Sequence, residues 1–452
     1  MGAQKITELG TESVRKLLMK YALPGIIAMT AMSLYNMVDS IFIGHGVGAL
    51  ALSGLTVAKP FMDICAAFGT LVGVGASSLV AIKLGEKDYR SANDILANVI
   101  ILNVILGAII MVVGLFWLDP ILYAFGASEA TIVYAREYME IILLGNILTH
   151  IYYGLNSMLR SVGHPRISMY ATILAVSLNI ILDPIFIFGF DMGVRGAAFA
   201  TIVSQAVSAV WVLSFLLGKK TKLRIKKENL LPSTKILLPV LALGISPFVM
   251  SATEAVINVA FNSSLQKYGG DIAVGAMTIC TTVFQMVWVP AQGIGQGAQP
   301  IISYNYGARN GSRVKQAFKA FLIICFSYIF VFGMIIELFP QFFIKIFNDN
   351  PELMEQATWA IRLYGCALVF FGIQMAVQQT FIALGKAKAS LFIACLRKVI
   401  LLVPLIYILP NFFENKVFAV FLAEPVSDAI SITTASVVFF CVFGKEMKKL
   451  SK

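Results

Sequence analysis

Charge is what this chain has least of. Asp, Glu, Lys and Arg together make up 13% of its 452 residues, about half the share in a typical soluble domain. That excludes an ordinary water-exposed surface. Histidine is almost missing: His45, His150 and His164 are scattered, which excludes a structural zinc site. The six cysteines (Cys65, Cys280, Cys325, Cys366, Cys395 and Cys441) fall in apolar stretches with no motif spacing, so no disulfide framework is expected. No GxxxxGK[ST] loop and no soluble domain exist to hold a nucleotide, which excludes an ATP-driven pump. No nucleophile–base set is apparent, so the chain is not expected to be an enzyme or to carry a cofactor. No small-residue cleavage site follows a short apolar core, so no cleaved signal peptide is expected.

What is present is hydrophobic length. The chain is 58% hydrophobic with a mean hydropathy of +0.83, arranged in long blocks. The fold class is therefore an all-α polytopic membrane protein, because a helix satisfies its own backbone in lipid. Twelve spans are predicted at roughly 17–43, 53–82, 93–118, 128–159, 167–190, 194–218, 237–266, 274–303, 314–339, 352–383, 388–409 and 416–443. Loops on one side carry 26 Lys and Arg, while the other side has only Arg195, Lys267, Lys345 and Lys416. By the positive-inside rule both termini face the cytoplasm, in a multi-pass cell (inner/plasma) membrane protein. The net charge of +11 is thus a property of short loops, and the expected partner is the bilayer, with no nucleic acid.

The chain repeats itself. Gly73-Val-Gly75-Ala76 matches Gly295-Gln-Gly297-Ala298, Gly85 matches Gly307, and Leu159–Gly163 matches Phe381–Gly385, all at an offset of 222. Two copies of six spans share one orientation, so a pseudo-twofold axis along the membrane normal is expected, as in transporters built from parallel repeats. The expected division is an N-lobe at 1–218, a cytoplasmic linker loop at 219–236, a C-lobe at 237–444 and a cytoplasmic tail at 445–452.

Asn179-Ile-Ile-Leu-Asp183-Pro184 is the focal stretch. An Asp at bilayer depth is costly and is usually functional or paired. Asn179 lies one turn earlier on the same face, and Pro184 frees the backbone carbonyl near Ile180. Such a turn suits an ion site; a structural Asp paired with another helix is the alternative. Span one carries Pro24 and Gly25, a candidate bend, followed by Tyr35 and Asp39 on one face. Counting residues puts Asp39, Asp183 and Thr201 at similar depths, roughly 8–10 Å from the outer ends of their spans, which favours one shared site.

Other polar residues have two readings each. Tyr138 and Asn156 either line the same cavity or pack between helices. Arg136 with Glu140, and Lys59 with Asp63, read as structural i,i+4 pairs. Glu254 follows the Ser246-Pro247 break with no charged neighbour at helical spacing, which favours a place in a cavity. Gln285, Gln374 and Gln378, among many Phe and Met residues, are candidates for an adaptable cavity wall. Arg397 and Lys398 either pair with Glu424 or Asp428 or snorkel to an interface. The offset puts Phe261 and Leu405 where Asp39 and Asp183 stand, so the main acidic pair is confined to the first half.

Taken in order, Pro24, Val38-Asp39-Ser40-Ile41-Phe42-Ile43-Gly44, Gly73 to Gly85, Asn179 to Pro184, Gly196 to Thr201 and Gly295 to Gly307 resemble the multidrug and toxic compound extrusion (MATE) transporters. Within that family they resemble the bacterial MepA-like branch, over essentially the whole chain. The resemblance implies two pseudo-twofold-related six-helix lobes and export of cationic or amphipathic drugs in exchange for Na⁺ or H⁺ by alternating access. It implies a cation site at Asp39, Asn179, Asp183 and Thr201, conformational hinges at Pro24, Gly25 and Pro184, and a further role for Glu254. Gln374 lies where some members carry an Asp on the tenth helix, so the implied cation site is in the N-lobe alone. A monomer is expected. The rival reading is a lipid-linked precursor flippase of the same superfamily, which would want interior Arg or Lys. A channel is the lesser rival, disfavoured by the twofold repeat.

Overall fold

The computed structural model describes residues 8–218, 221, 223, 232–347 and 350–450. Among these residues the chain is helical throughout its apolar blocks. Ten helical stretches are long and apolar enough to cross a membrane. One of them, Thr234–Gly307, would be about 110 Å long if straight, several bilayers deep. It doubles back at Gly270, whose φ of 63° lies in the left-handed region that glycine alone adopts freely. Phe261 and Phe284, on either side of that turn, both pack on Tyr364 with ring centroids 6.3 and 5.7 Å away. It therefore supplies spans seven and eight. The remaining span, the fourth, is broken at Gly145 into Ile132–Leu144 and Asn146–Ser161. The described residues thus form the twelve expected spans.

Several expected boundaries move. Span seven begins at Thr234, so the linker ends earlier than residue 236; most of the linker lies outside the described residues. Span twelve runs as one helix, Lys416–Leu450, so the expected tail is helical as far as it is described. Span five, Pro165–Pro184, continues past its proline as a wide π turn, Ile185–Gly189, where the missing N–H has opened the helix.

The repeat is visible in local chemistry. Asp88 Oδ1 accepts from the Ser91 N–H at 3.1 Å, and Asn310 Oδ1 accepts from the Arg313 N–H at 3.1 Å. Each caps the helix that opens the third span of its half. The residue before each cap, Lys87 or Arg309, has a left-handed φ of 61° or 54°. Gly163 and Gly385 likewise share φ values of 91° and 71°.

The lobes meet mainly on the side that carries the basic loops. A Cβ at Gly85 would strike the Tyr304 carbonyl, and one at Gly307 would strike the Ile82 carbonyl. Gly25 crosses Gly293 in the same way, which gives that glycine a packing reason beside any bend at Pro24. Arg313 and Asn305 then tie the N-terminal segment down, donating to the Leu9 carbonyl at 3.1 and 3.0 Å. One apolar cluster runs through both lobes across this seam, and a second fills the opposite end of the N-lobe around Ile43, Leu122 and Tyr138.

Candidate functional site

Spans one, five and six bring the focal residues together. Asp183 is fully buried, Asn179 is 2% exposed, Asp39 5% and Thr201 6%. Asn179 Nδ2 donates to Asp183 Oδ1 and to Thr201 Oγ1, each at 3.3 Å. The Tyr35 hydroxyl bonds Thr201 Oγ1 at 3.1 Å. Asp39 acts electrostatically on Asp183, Tyr35 and Tyr138. Asp39 Oδ1, Asn179 Oδ1 and Asp183 Oδ2 are all buried without a hydrogen-bond donor. Buried carboxylate oxygens left bare are costly. Two acids and an amide oxygen presented this way fit a proton or a hard monovalent cation, which takes oxygen ligands.

A cavity adjoins this set, lined by Tyr35, Tyr152, Thr172, Asn179, Thr201 and Gln205 among others. Its volume of about 30 Å³ suits water-sized occupants rather than a drug. Asn156 donates to Thr172 at 3.1 Å and so braces its wall. Tyr138 is buried, its hydroxyl 3.7 Å from Met62 Sδ, and it feels both acids without lining the cavity.

A second cavity, of about 160 Å³, lies in the C-lobe and is closed on one side by Thr70 and Val74 of span two. Gln374 and Gln378 line it, as expected. Gln285 does not; it is exposed. Sequence reading missed Gln292, Gln296 and Gln299, although their spacing puts all three on one helix face, toward this cavity. Trp288 and Phe371 supply aromatic walls, their rings 4.7 Å apart.

Glu254 departs from its expected place. It does not line either cavity and is not free of charged neighbours. It forms an ion pair with Lys398, brought to it from span eleven, and its side chain is 57% exposed. Helical spacing within one span cannot reveal a partner on another. Arg397 pairs as one of its readings had it: Nε donates to Asp428 Oδ1 at 2.6 Å and Nη2 to Glu424 Oε1 at 2.7 Å. Arg136 chooses Asp119 over Glu140, with Nε to Oδ1 at 2.7 Å, because the short helix Leu118–Ala124 brings that carboxylate to it. No ion pair joins Lys59 to Asp63 among the described residues; Lys59 lies within the electrostatic reach of both Asp63 and Asp39.

Comparison with known proteins bears on this geometry. The MatE family model matches residues 24–185 and again residues 247–408, one match per half. The multidrug export protein MepA of Staphylococcus haemolyticus (strain JCSC1435) is 27% identical over 417 residues, covering 92% of this chain and 91% of its own length. A MATE transporter crystallised in a bent conformation superposes with a TM-score of 0.92 at 25% identity, covering 100% of this chain and 99% of the other. An outward-facing MATE family multidrug resistance transporter of the MOP superfamily gives 0.90 at 25% identity, covering 99% and 98%.

Proposed function

The chain belongs to the MatE family, and from that membership we propose that it is a secondary active multidrug efflux antiporter, exporting organic cations and other amphipathic drugs in exchange for Na⁺ or H⁺. The observation that carries this reading is the convergence of Asp39, Asn179, Asp183 and Thr201, with three unpartnered oxygens, beside a cavity of ionic size. With the basic loops in the cytoplasm, the glycine seam would close the inner side. A coupling cation entering from outside reaches Asp39 and Asp183. Its binding favours the conformation that releases drug, and by reciprocity drug binding weakens the cation's hold. Pro24, Gly25 and Pro184 are the hinge positions of the change, Gly25 because it forms part of the seam. Both lobes come from one chain, which is consistent with a working monomer.

Two actions are divided between the lobes. The small N-lobe site holds the ion. The C-lobe cavity, with its aromatic and amide walls, holds compounds of varied shape.

The flippase reading gains one observation: Arg397 and Lys398 line the C-lobe cavity beside Trp288, as an anionic headgroup would require. Both cations are already engaged by Asp428, Glu424 and Glu254, which leaves no net positive charge for a phosphate. Efflux is therefore the better reading. The test is efflux of a fluorescent organic cation from proteoliposomes, with a pH gradient and a Na⁺ gradient imposed separately. Wild type should respond to at least one gradient and D183N to neither. Gradient-independent leakage, or binding of lipid-linked sugars in preference to the dye, would refute the proposal.

A further inference from the structure

Spans eleven and twelve hold a second buried charge group, away from the N-lobe site, with the exposed Glu254 of span seven at its edge. Arg397 and Lys398 are its two cations. Glu254, Glu424 and Asp428 are its three carboxylates, each in contact with one of them. Asp428 is fully buried, and Lys398, Glu424 and Arg397 are 3%, 4% and 8% exposed. Lys398 is matched by the exposed Glu254, so two buried acids share the single Arg397 guanidinium and leave one negative charge uncompensated. In a low-dielectric interior such a charge is removed by taking up a cation. Glu424 Oε2 and Asp428 Oδ2 are the buried oxygens without a donor, so that is where a proton would go.

We propose that Glu424 and Asp428, on either side of Arg397, are a second proton-binding site, and that its occupancy is linked to the charge of the compound in the adjoining cavity. The idea rests on the efflux reading. A proton fits better than a metal ion, because the Arg397 guanidinium occupies the space between the two acids. Among the described residues no three acidic, His or Cys side chains converge on a metal. The groups that face the pair are Glu254 from span seven, Tyr364 and Cys366 from span ten, and Arg397 and Lys398 from span eleven. Serine Ser427 fixes the span between them by donating to the Arg397 carbonyl at 2.8 Å.

The link to substrate runs through Arg397, which touches the acids on one side and lines the cavity on the other, 4.4 Å from the Phe371 ring. A permanent organic cation in that cavity favours the ionised acid and expels the proton. Lowering the pH then weakens binding of the cation, by the same coupling free energy. A neutral compound would expel none.

The experiment uses full-length protein in detergent and weak buffer, with tetraphenylphosphonium as the probe. Protons released per probe bound are counted across a range of pH in wild type, E424Q, D428N and D183N, and melting curves confirm folding. Wild type should release protons in two pH steps. E424Q and D428N should each lose one step, roughly halving the release, and should bind the probe at high pH as weakly as wild type does at low pH. D183N should keep the step that E424Q loses. Unchanged release in both C-lobe variants would overturn the second site while leaving N-lobe coupling intact. Should E424Q fail to fold, D428N alone decides by the same readout. Proton release that depends on Glu424, with no gradient-driven efflux in vesicles, would instead count against the efflux reading.

Discussion

Gln299 donates from Nε2 to the hydroxyl of Ser77 at 3.2 Å, and the two residues are 222 positions apart. They are each other's counterparts in the two repeats. A residue that touches its own symmetry mate lies on the axis, so the pseudo-twofold passes between them. Gln299 also donates to Ser78 Oγ at 2.6 Å, and these bonds fasten span two to span eight across the seam.

The seam on either side of that axis has a steric consequence. Gly85 and Gly307 are also counterparts, and each lies against a backbone carbonyl of the other's helix. Leucine at either position has no room and should open the basic side. We expect G85L and G307L to lose transport, to lose about 1–3 kcal/mol of closed-state stability, and to expose a reporter cysteine at Ser78 to a membrane-impermeant thiol reagent. Labelling as slow as in the parent would refute the assignment of this seam as a gate.

Thr201 takes one hydrogen bond from Asn179 and shares one with Tyr35. Valine keeps the shape and removes both. T201V should cost about 1–3 kcal/mol, the sum of two modest bonds, and should weaken ion dependence without abolishing it. D183N should abolish it. Cation titrations of dye efflux in vesicles separate the two, and a T201V profile identical to that of wild type would show that Thr201 is only a packing residue.

Arg397 offers the strongest stability prediction. Removing it leaves Glu424 and Asp428 facing one another, buried and uncompensated. R397M should therefore lose about 3–5 kcal/mol, read as a fall in melting temperature. R397K should be intermediate, since a single ammonium cannot reproduce a fork that bonds two acids from separate nitrogens. Adding E424Q to R397M should recover part of the loss.

Asp88 supplies a pH test outside the membrane. Its hydrogen bonds from Ser91, side chain first and then backbone, hold its pKa below the ordinary 3.8. A depressed carboxylate contributes stability above its unfolded pKa and loses it as the pH falls through the folded value. Wild type should thus lose some stability below about pH 4. D88N keeps a capping side chain, as Asn310 does naturally, and should flatten that dependence. D88A should cost about 0.5–2 kcal/mol at neutral pH. An acid limb that persists unchanged in D88N would assign it to other carboxylates.

How much of this protein its sequence discloses follows from the kind of signal each feature leaves. Span count, helix class and the repeat are written in hydrophobic length and in small residues at a fixed offset, because lipid enforces helices and close helix crossings require glycine. The acids of the N-lobe were legible because a charge in an apolar run is rare and one-turn spacing puts Asn179 beside Asp183. Partner choice was not legible. Glu254 looked solitary and Arg136 looked paired with Glu140, since sequence spacing reports only neighbours on one helix, whereas Lys398 and Asp119 arrive from elsewhere. The chain alone determined that twelve helices and a buried acidic turn must form. Only the tertiary packing decided which charges meet across helices, which oxygens stay unpartnered, and which side of the molecule is shut, because those depend on distances between spans.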